Sequence, residues 1–217
     1  KSIFQVDATH EGELTFTLEP SKNGVHNRIV CQLDLGEDNV KVIKFRSSLL
    51  LENTTSTVIQ LRVESSEGGD FKTYDIQPSE QRSVPVEYAY RSNLKIRPLI
   101  EDEYAWSSQN IHWRDLLTQS LSLECLSKSD NRDRFYIEVN GKYDEKEPLA
   151  KIYPHMTLII SSPLIVHNML PCSLNFYLFD KREDNRKLRS LEKGSSMPIH
   201  DVSLEIFLLL SVQPIVD

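Results

Sequence analysis

Apolar and polar residues alternate with a period of two along much of this chain. The alternation is plain in Leu14-Thr15-Phe16-Thr17-Leu18 and recurs over 58–63, 135–139 and 174–178. Successive side chains of a strand point to opposite faces, so each run predicts a half-buried β-strand. β-branched and aromatic residues are frequent in these runs and pack well on a pleated surface. Turn-forming clusters separate them: Ser21-Lys22-Asn23-Gly24, Gly36-Glu37-Asp38-Asn39, Glu67-Gly68-Gly69-Asp70, Asn140-Gly141-Lys142 and Lys193-Gly194-Ser195-Ser196. Only 111–123 offers a helix, and it carries no apolar stripe. Many short strands joined by polar turns predict an all-β chain of β-sandwiches.

The pattern occurs twice. Leu49-Leu50-Leu51-Glu52-Asn53 aligns with Leu164-Ile165-Val166-His167-Asn168 at an offset of 115 (168 − 53). Without a gap, Ile59, Leu61 and Val63 then fall on Leu174, Phe176 and Leu178. A one-residue slip would turn a strand inside out, so agreement in register outweighs low identity. Ser47-Ser48 precedes the first block and Ser161-Ser162 the second. Downstream, Ser83-Val84-Pro85-Val86 matches Ser196-Met197-Pro198-Ile199, and Leu94 to Pro98 matches Leu210 to Pro214. The offset drifts only within connections, where length changes cost little. We expect two tandem β-sandwich-like repeats, residues 1–101 and 102–217, divided at the acidic stretch Glu101-Asp102-Glu103. The second opens with Tyr104-Ala105-Trp106-Ser107, which the first lacks, so the first reads as truncated at its start. The absence of an initial Met reads as a piece of something longer.

Composition narrows the function. The 217 residues are 39% hydrophobic and 26% charged, enough for a core in each half. The net charge of −7 argues against nucleic acid, whose phosphates demand a basic face. Basic residues cluster only at 181–189, interrupted by Glu183 and Asp184, which reads as a solvated hairpin tip. Three widely spaced cysteines, Cys31, Cys125 and Cys172, predict free thiols rather than a disulfide framework or a zinc site. No apolar run approaches the ~20 residues of a membrane-spanning helix. The six histidines lack metal-site spacing, and no nucleophile elbow or phosphate-cradling glycine loop occurs. We therefore expect no enzyme activity, no metal and no cofactor.

Val166-His167-Asn168-Met169-Leu170-Pro171, the preceding Ser162-Pro163 and the opener Tyr104 to Ser107 together resemble the adaptor-binding repeats of the vacuolar protein sorting thirteen family of bridge-like lipid-transfer proteins. The resemblance covers both repeats. The first departs from it, with Thr54-Thr55-Ser56 in place of Met169-Leu170-Pro171. The resemblance implies two of six consecutive β-sandwich repeats that dock short Pro-x-Pro segments of organelle-specific adaptor proteins and so select a membrane contact site. It implies a cytoplasmic protein, peripheral at organelle membranes, whose membrane association runs through adaptors. It also makes Asn53 and Asn168 the family's repeated asparagine.

From the residues themselves, each asparagine follows an apolar strand and precedes a turn. Two roles stand side by side: tying two loops together within a repeat, or, for Asn168, touching a bound peptide. A Pro-rich segment is pre-extended, and a sheet edge flanked by apolar pockets can hold it. Leu170, Pro171, Met197 and Ile199 are the candidate pocket residues, against plain core packing as the alternative. The alternative function is a β-sandwich that binds lipid headgroups directly, for which the 181–189 tip is the best feature.

Overall fold

The computed structural model describes residues 4–19, 26–65, 71–101, 103–130, 132–147, 149–180, 187–205 and 208–215. The chain is all-β, as its alternation predicts: sixteen strands and two 3₁₀ turns among the described residues. The one helical candidate, 111–123, does not form a helix. Ile111 instead exchanges backbone hydrogen bonds with Leu94, Asp115–Leu117 forms one 3₁₀ turn, and a strand begins at Leu121. Without an apolar stripe, a helix there would have nothing to bury.

Strands β1 (Gly12–Thr17), β2 (Arg28–Leu35) and β3 (Lys41–Ser47) form an antiparallel meander. Five strands follow: β4 (Leu49–Asn53), β5 (Ile59–Ser65), β6 (Phe71–Ile76), β7 (Gln81–Ser83) and β8 (Ser92–Pro98). A second meander is β9 (Leu121–Leu126), β10 (Arg134–Tyr143) and β11 (Met156–Ser161). Five more strands end the chain: β12 (Leu164–His167), β13 (Leu174–Asp180), β14 (Lys187–Leu191), β15 (Ser196–Ile199) and β16 (Leu208–Pro214).

Strand order and register recur. β6-β5-β8 is matched by β14-β13-β16, and β4-β7 by β12-β15. Leu61 faces Tyr74 and Ile96 where Phe176 faces Arg189 and Val212, offsets of 115, 115 and 116. The sequence period and the folded sandwich are out of phase, however. The five-stranded sheet β7-β4-β11-β10-β9 crosses the division expected near residue 101, with β11 parallel to β4. One core joins Leu49, Leu51, Ile59, Leu61, Ile76, Leu94 and Ile96 to Leu123, Ile137, Val139, Leu158 and Ile160, all fully or almost fully buried. Each such side chain contributes about 1.5–3 kcal/mol by leaving water. A smaller core, Leu174, Phe176, Leu178, Leu191, Ile199 and Val202, holds β12–β16 together.

The predicted turn at Asn140-Gly141-Lys142 is instead continuous strand near the end of β10, with Gly141 paired to Leu158 of β11. The glycine is there for proximity. A Cβ on it would come 2.5 Å from the Leu116 carbonyl oxygen, so the 3₁₀ turn lies against bare backbone. The turn signals at 36–39 and 193–196 hold, with Asp38, Asn39 and Gly194 at positive φ. Those at 21–24 and 67–70 lie outside the described residues.

Candidate functional site

Asn53 ends β4, and Asn168 follows β12; they are 0% and 1% exposed. The Asn53 amide nitrogen donates to the carbonyls of Thr57 (2.9 Å) and Ile76 (3.0 Å). That of Asn168 donates to Cys172 (3.0 Å), Leu191 (3.1 Å) and Glu192 (3.0 Å). Asn53 Oδ1 accepts from the Thr55 amide, and Asn168 Oδ1 from the Leu170 amide, both at 3.0 Å. Thr57 and Cys172, Ile76 and Leu191, Thr55 and Leu170 all stand 115 apart. Each asparagine therefore ties its own turn to the end of the hairpin strand that returns beside it. This geometry ties loops together within each repeat, with both side chains buried and their amide nitrogens engaged.

The turn organised by Asn168 presents Met169, 89% exposed, with Leu170 and Pro171 also on the surface. Met197 and Ile199 sit on β15, opposite Val166 and Leu164. Ile199 belongs to the small core, and Met197 packs against it half-buried. The sequence candidates thus fall into two groups, an exposed turn and a strand.

The second group lines a cavity of about 370 Å³ where β12–β16 meets β10. Met197, Pro198, Ile199 and His200 line it together with Ile100, Tyr104 and Phe135. Leu170 and Pro171 lie outside it. Beyond the end of β11, His200 takes up the vacated edge of β10. The Tyr136 amide donates to the His200 carbonyl (2.6 Å), and His200 Nδ1–H donates to the Tyr136 carbonyl (2.8 Å). The imidazole stacks on Phe135 at 4.1 Å, and Tyr104 meets Phe135 edge-on at 5.6 Å. Burial pushes the His200 pKa down, partly countered by the Tyr136 carbonyl and Asp201. Tyr104 donates to Asp133 at 2.8 Å, and burial with that carboxylate raises its pKa.

A polar cavity of about 470 Å³ adjoins the first and shares Asp133, Arg134, Lys187, Arg189 and Asp201 with it. Three of its four lining cations are engaged: Arg189 bonds both oxygens of Asp201 (2.7 and 2.6 Å), Lys187 lies 3.3 Å from the same carboxylate, and Arg134 pairs with Glu124. The basic cluster at 181–189 lies outside the described residues except for Lys187, Leu188 and Arg189.

Sequence reasoning missed Tyr104, Phe135 and His200 as a group, because only the crossing of β15 onto β10 unites them. It missed the opposite junction too. There Arg28, 4% exposed, pairs with Glu147 and donates to the Tyr153 carbonyl, fastening β2 to the loop before β11. Glu147 is thus the partner of a buried cation. Burial pushes its carboxyl up, but Arg28 outweighs this and holds the pKa below the ordinary value. Cys31 and Cys125 are buried, Cys172 is half-buried, and all three are free thiols. Burial raises the Cys125 thiol to about 12, far from a reactive state. Among the described residues, no three His, Cys, Asp or Glu side chains converge as a metal site would require.

A family model described as "Vacuolar-sorting associated protein 13, adaptor binding domain" matches residues 1–217. The chain is 34% identical over 215 residues to "Intermembrane lipid transfer protein VPS13" of Chaetomium thermophilum, covering 98% of this chain and 7% of that protein. It is 24% identical over 212 residues to "Intermembrane lipid transfer protein VPS13A" of Mus musculus, covering 93% of this chain and 6% of that one. To "Intermembrane lipid transfer protein VPS13D" of Homo sapiens it is 25% identical over 171 residues, with 70% and 4% covered. The chain therefore spans well under a tenth of the length of these relatives.

Proposed function

The chain belongs to the adaptor-binding domain family of vacuolar-sorting associated protein 13, and from that premise we propose that it docks Pro-x-Pro segments of organelle-specific adaptor proteins, without catalysis, and thereby directs a lipid-transfer protein to membrane contact sites. The observation that carries the reading is the junction cavity, which Met197 and Ile199 line together with Tyr104, Phe135 and His200. Its volume falls in the range of small binding pockets. Aromatic and aliphatic walls suit proline rings, and a Pro-x-Pro segment is already extended, so it loses little entropy on docking. The adjoining polar cavity gives the rest of an extended segment a path along the same junction. Leu170 and Pro171, held outward by Asn168, would bear on adaptors only as a second contact beside this cavity.

On the same premise we read the protein as cytoplasmic and peripheral at organelle membranes, held there through its adaptors. Among the described residues no helix is long and apolar enough to cross a membrane. Direct headgroup binding, the alternative, draws little from the described part of the basic cluster, since Lys187 and Arg189 are both held by Asp201.

The test is a titration of a labelled Pro-x-Pro peptide by fluorescence anisotropy. Binding on the order of micromolar is expected for so small a contact. Replacing both peptide prolines by alanine should weaken it more than any other change, and Met197→Ala should weaken it several-fold. Affinity indifferent to the prolines sinks the recognition mode. Liposome flotation without peptide binding would favour the headgroup reading.

A further inference from the structure

The chain holds a finished sandwich and an unfinished one of the same design. β4–β8 is closed by β9–β11, which lays β11 along β4 through five paired residues, Met156↔Leu49 to Ile160↔Asn53. The Thr54 amide and hydroxyl then both donate to the Ile160 carbonyl at 2.8 Å. β12–β16 repeats β4–β8, yet among the described residues β12 pairs only with β15. Met169, at Thr54's place, is 89% exposed.

The contrast extends across the sheet. Leu94 and Ile96 on β8 are 1% and 0% exposed, whereas their counterparts Leu210 and Val212 on β16 are 57% and 47% exposed. In the finished sandwich, β8 is covered by Ser107, Ile111 and Cys125: Ser107 donates to the Ile96 carbonyl (2.9 Å), Cys125 Sγ–H to the same oxygen (3.5 Å), and Ile111 to that of Leu94 (2.7 Å). An adaptor peptide of a few residues covers one strand edge. It cannot reach both the β12 edge and the β16 surface, so the occupant is the size of a sheet.

The same chain shows what such an occupant looks like. The β1–β3 meander corresponds in order and pairing to β9–β11 and leads into β4 as β11 leads into β12. On its apolar face the central strand's Cys31 and Leu33 are buried, but their outer-strand partners Leu14, Ile43 and Phe45 are 42%, 46% and 67% exposed. On β9–β11 the same kind of face, with Leu123, Ile137, Val139 and Ile160, is wholly buried against β5 and its neighbours. Among the described residues, one end of the chain thus carries a meander whose outer strands are uncovered, and the other carries strands without a meander.

We propose that β12–β16 is closed by a three-stranded antiparallel meander of the β9–β11 type, supplied by the following repeat of the parent polypeptide. Each sandwich is then built from two consecutive repeats, interlocked through a parallel strand pair, and 7% coverage of a relative leaves ample chain for the purpose. The β12 edge is consequently taken in the parent protein. An adaptor segment is left with the junction cavity at β15 and β10, which closure does not occupy.

Hydrogen exchange with mass spectrometry on the 217-residue chain and on the full-length parent protein tests this. Amides at 164–169 and 208–215 should exchange fast in the isolated chain. In the parent they should slow at least tenfold, to the level of 49–54 and 92–98, which serve as the internal standard. Fast exchange at 164–169 in the parent, with 49–54 protected, overturns the proposal. Protection of 164–169 in the isolated chain that rises with concentration, together with 41–47, assigns the place to a second copy's β1–β3 and overturns closure in cis. An added cysteine, Leu210→Cys, read at its own peptide by mass spectrometry so that the native Cys31, Cys125 and Cys172 do not contribute, gives an independent reading: its thiol should label rapidly in the isolated chain and slowly in the parent, and equal rates refute closure. None of these readouts depends on Pro-x-Pro binding, so the two ideas fail separately.

Discussion

Ser79 and Gly194 occupy one left-handed turn position 115 residues apart, with φ of 62° and 71°, and each donates its amide to the carbonyl of its repeat's buried asparagine. Ser79 reaches Asn53 at 2.8 Å and Gly194 reaches Asn168 at 2.9 Å. A left-handed conformation costs an L-residue about 1–2 kcal/mol, which glycine escapes at some cost in unfolded-chain entropy. Ser79→Gly should therefore stabilise the chain by roughly 0.5–1 kcal/mol, read as a rise in denaturant midpoint at unchanged slope. Gly194→Ser should cost about the same, because an added Cβ meets nothing within 4 Å and only the backbone objects. A loss of stability in Ser79→Gly would contradict the shared turn.

The asparagines permit a larger effect. Serine at 168 cannot span from the Asn168 backbone to the Leu191, Glu192 and Cys172 carbonyls together, so buried acceptors lose their donor. Unsatisfied buried groups cost about 1–3 kcal/mol each. Asn168→Ser should lose on the order of 2–3 kcal/mol and, with it, the orientation of Leu170 and the β15 wall. Asn53→Ser should destabilise comparably, while leaving peptide affinity at the β15–β10 junction nearly intact at temperatures where the chain stays folded. A normal melting curve for Asn168→Ser would refute the loop-tying role.

Much of this was legible in the sequence. Period-two alternation fixes which face of a strand is buried, and equal spacing of Asn53, Ile59 and Leu61 with Asn168, Leu174 and Phe176 carried the register of two hairpins. The sequence could not show that β11 lies parallel to β4, because a crossover pairing leaves no local signature in either strand. For that reason the repeat is readable while its phase relative to the sandwich is not. Gly141 misled for a related cause: close approach of the Leu116 backbone and a tight turn both select glycine. Met197 and Ile199 were reachable by alignment on Pro85 and Pro198, but their partners Tyr104, Phe135 and His200 come from other strands and connections, united only by tertiary packing.

Arg28 and Glu147 fasten the first meander to the finished sandwich, with side chains 5% and 20% exposed. Removing one member of a buried pair strands the other, at about 3–5 kcal/mol. Arg28→Ala should fall near the lower end of that range, about 3 kcal/mol, because Glu147 retains some solvent. The double variant Arg28→Met with Glu147→Gln should recover much of the loss, and a double-mutant cycle in urea measures the coupling. Additive losses would mean that the pair is a surface contact of little consequence.

His200 makes the second junction sensitive to mild acid. Its pKa is lowered in the fold, first by burial, so the folded state prefers the neutral ring whose Nδ1–H bonds Tyr136. Protonation would place a charge beside Nε2, which is buried without a hydrogen-bond partner. The contribution is therefore complete above the unfolded-state value near 6.5 and is lost as pH falls through that value toward the lowered one. His155 shifts the same way, through burial and then Arg46, and acts at the first junction. Glu147, whose pKa is lowered, stays ionised until the pH falls below about 4.5 and does not interfere. Melting at pH 7.5 and 5.5 should show a drop on the order of a few degrees in the native chain. In His200→Gln, whose side-chain amide can still donate to the Tyr136 carbonyl, the drop should be smaller. If His155 alone sets the response, the two chains will lose the same number of degrees, and the junction at Phe135 carries no proton-linked stability.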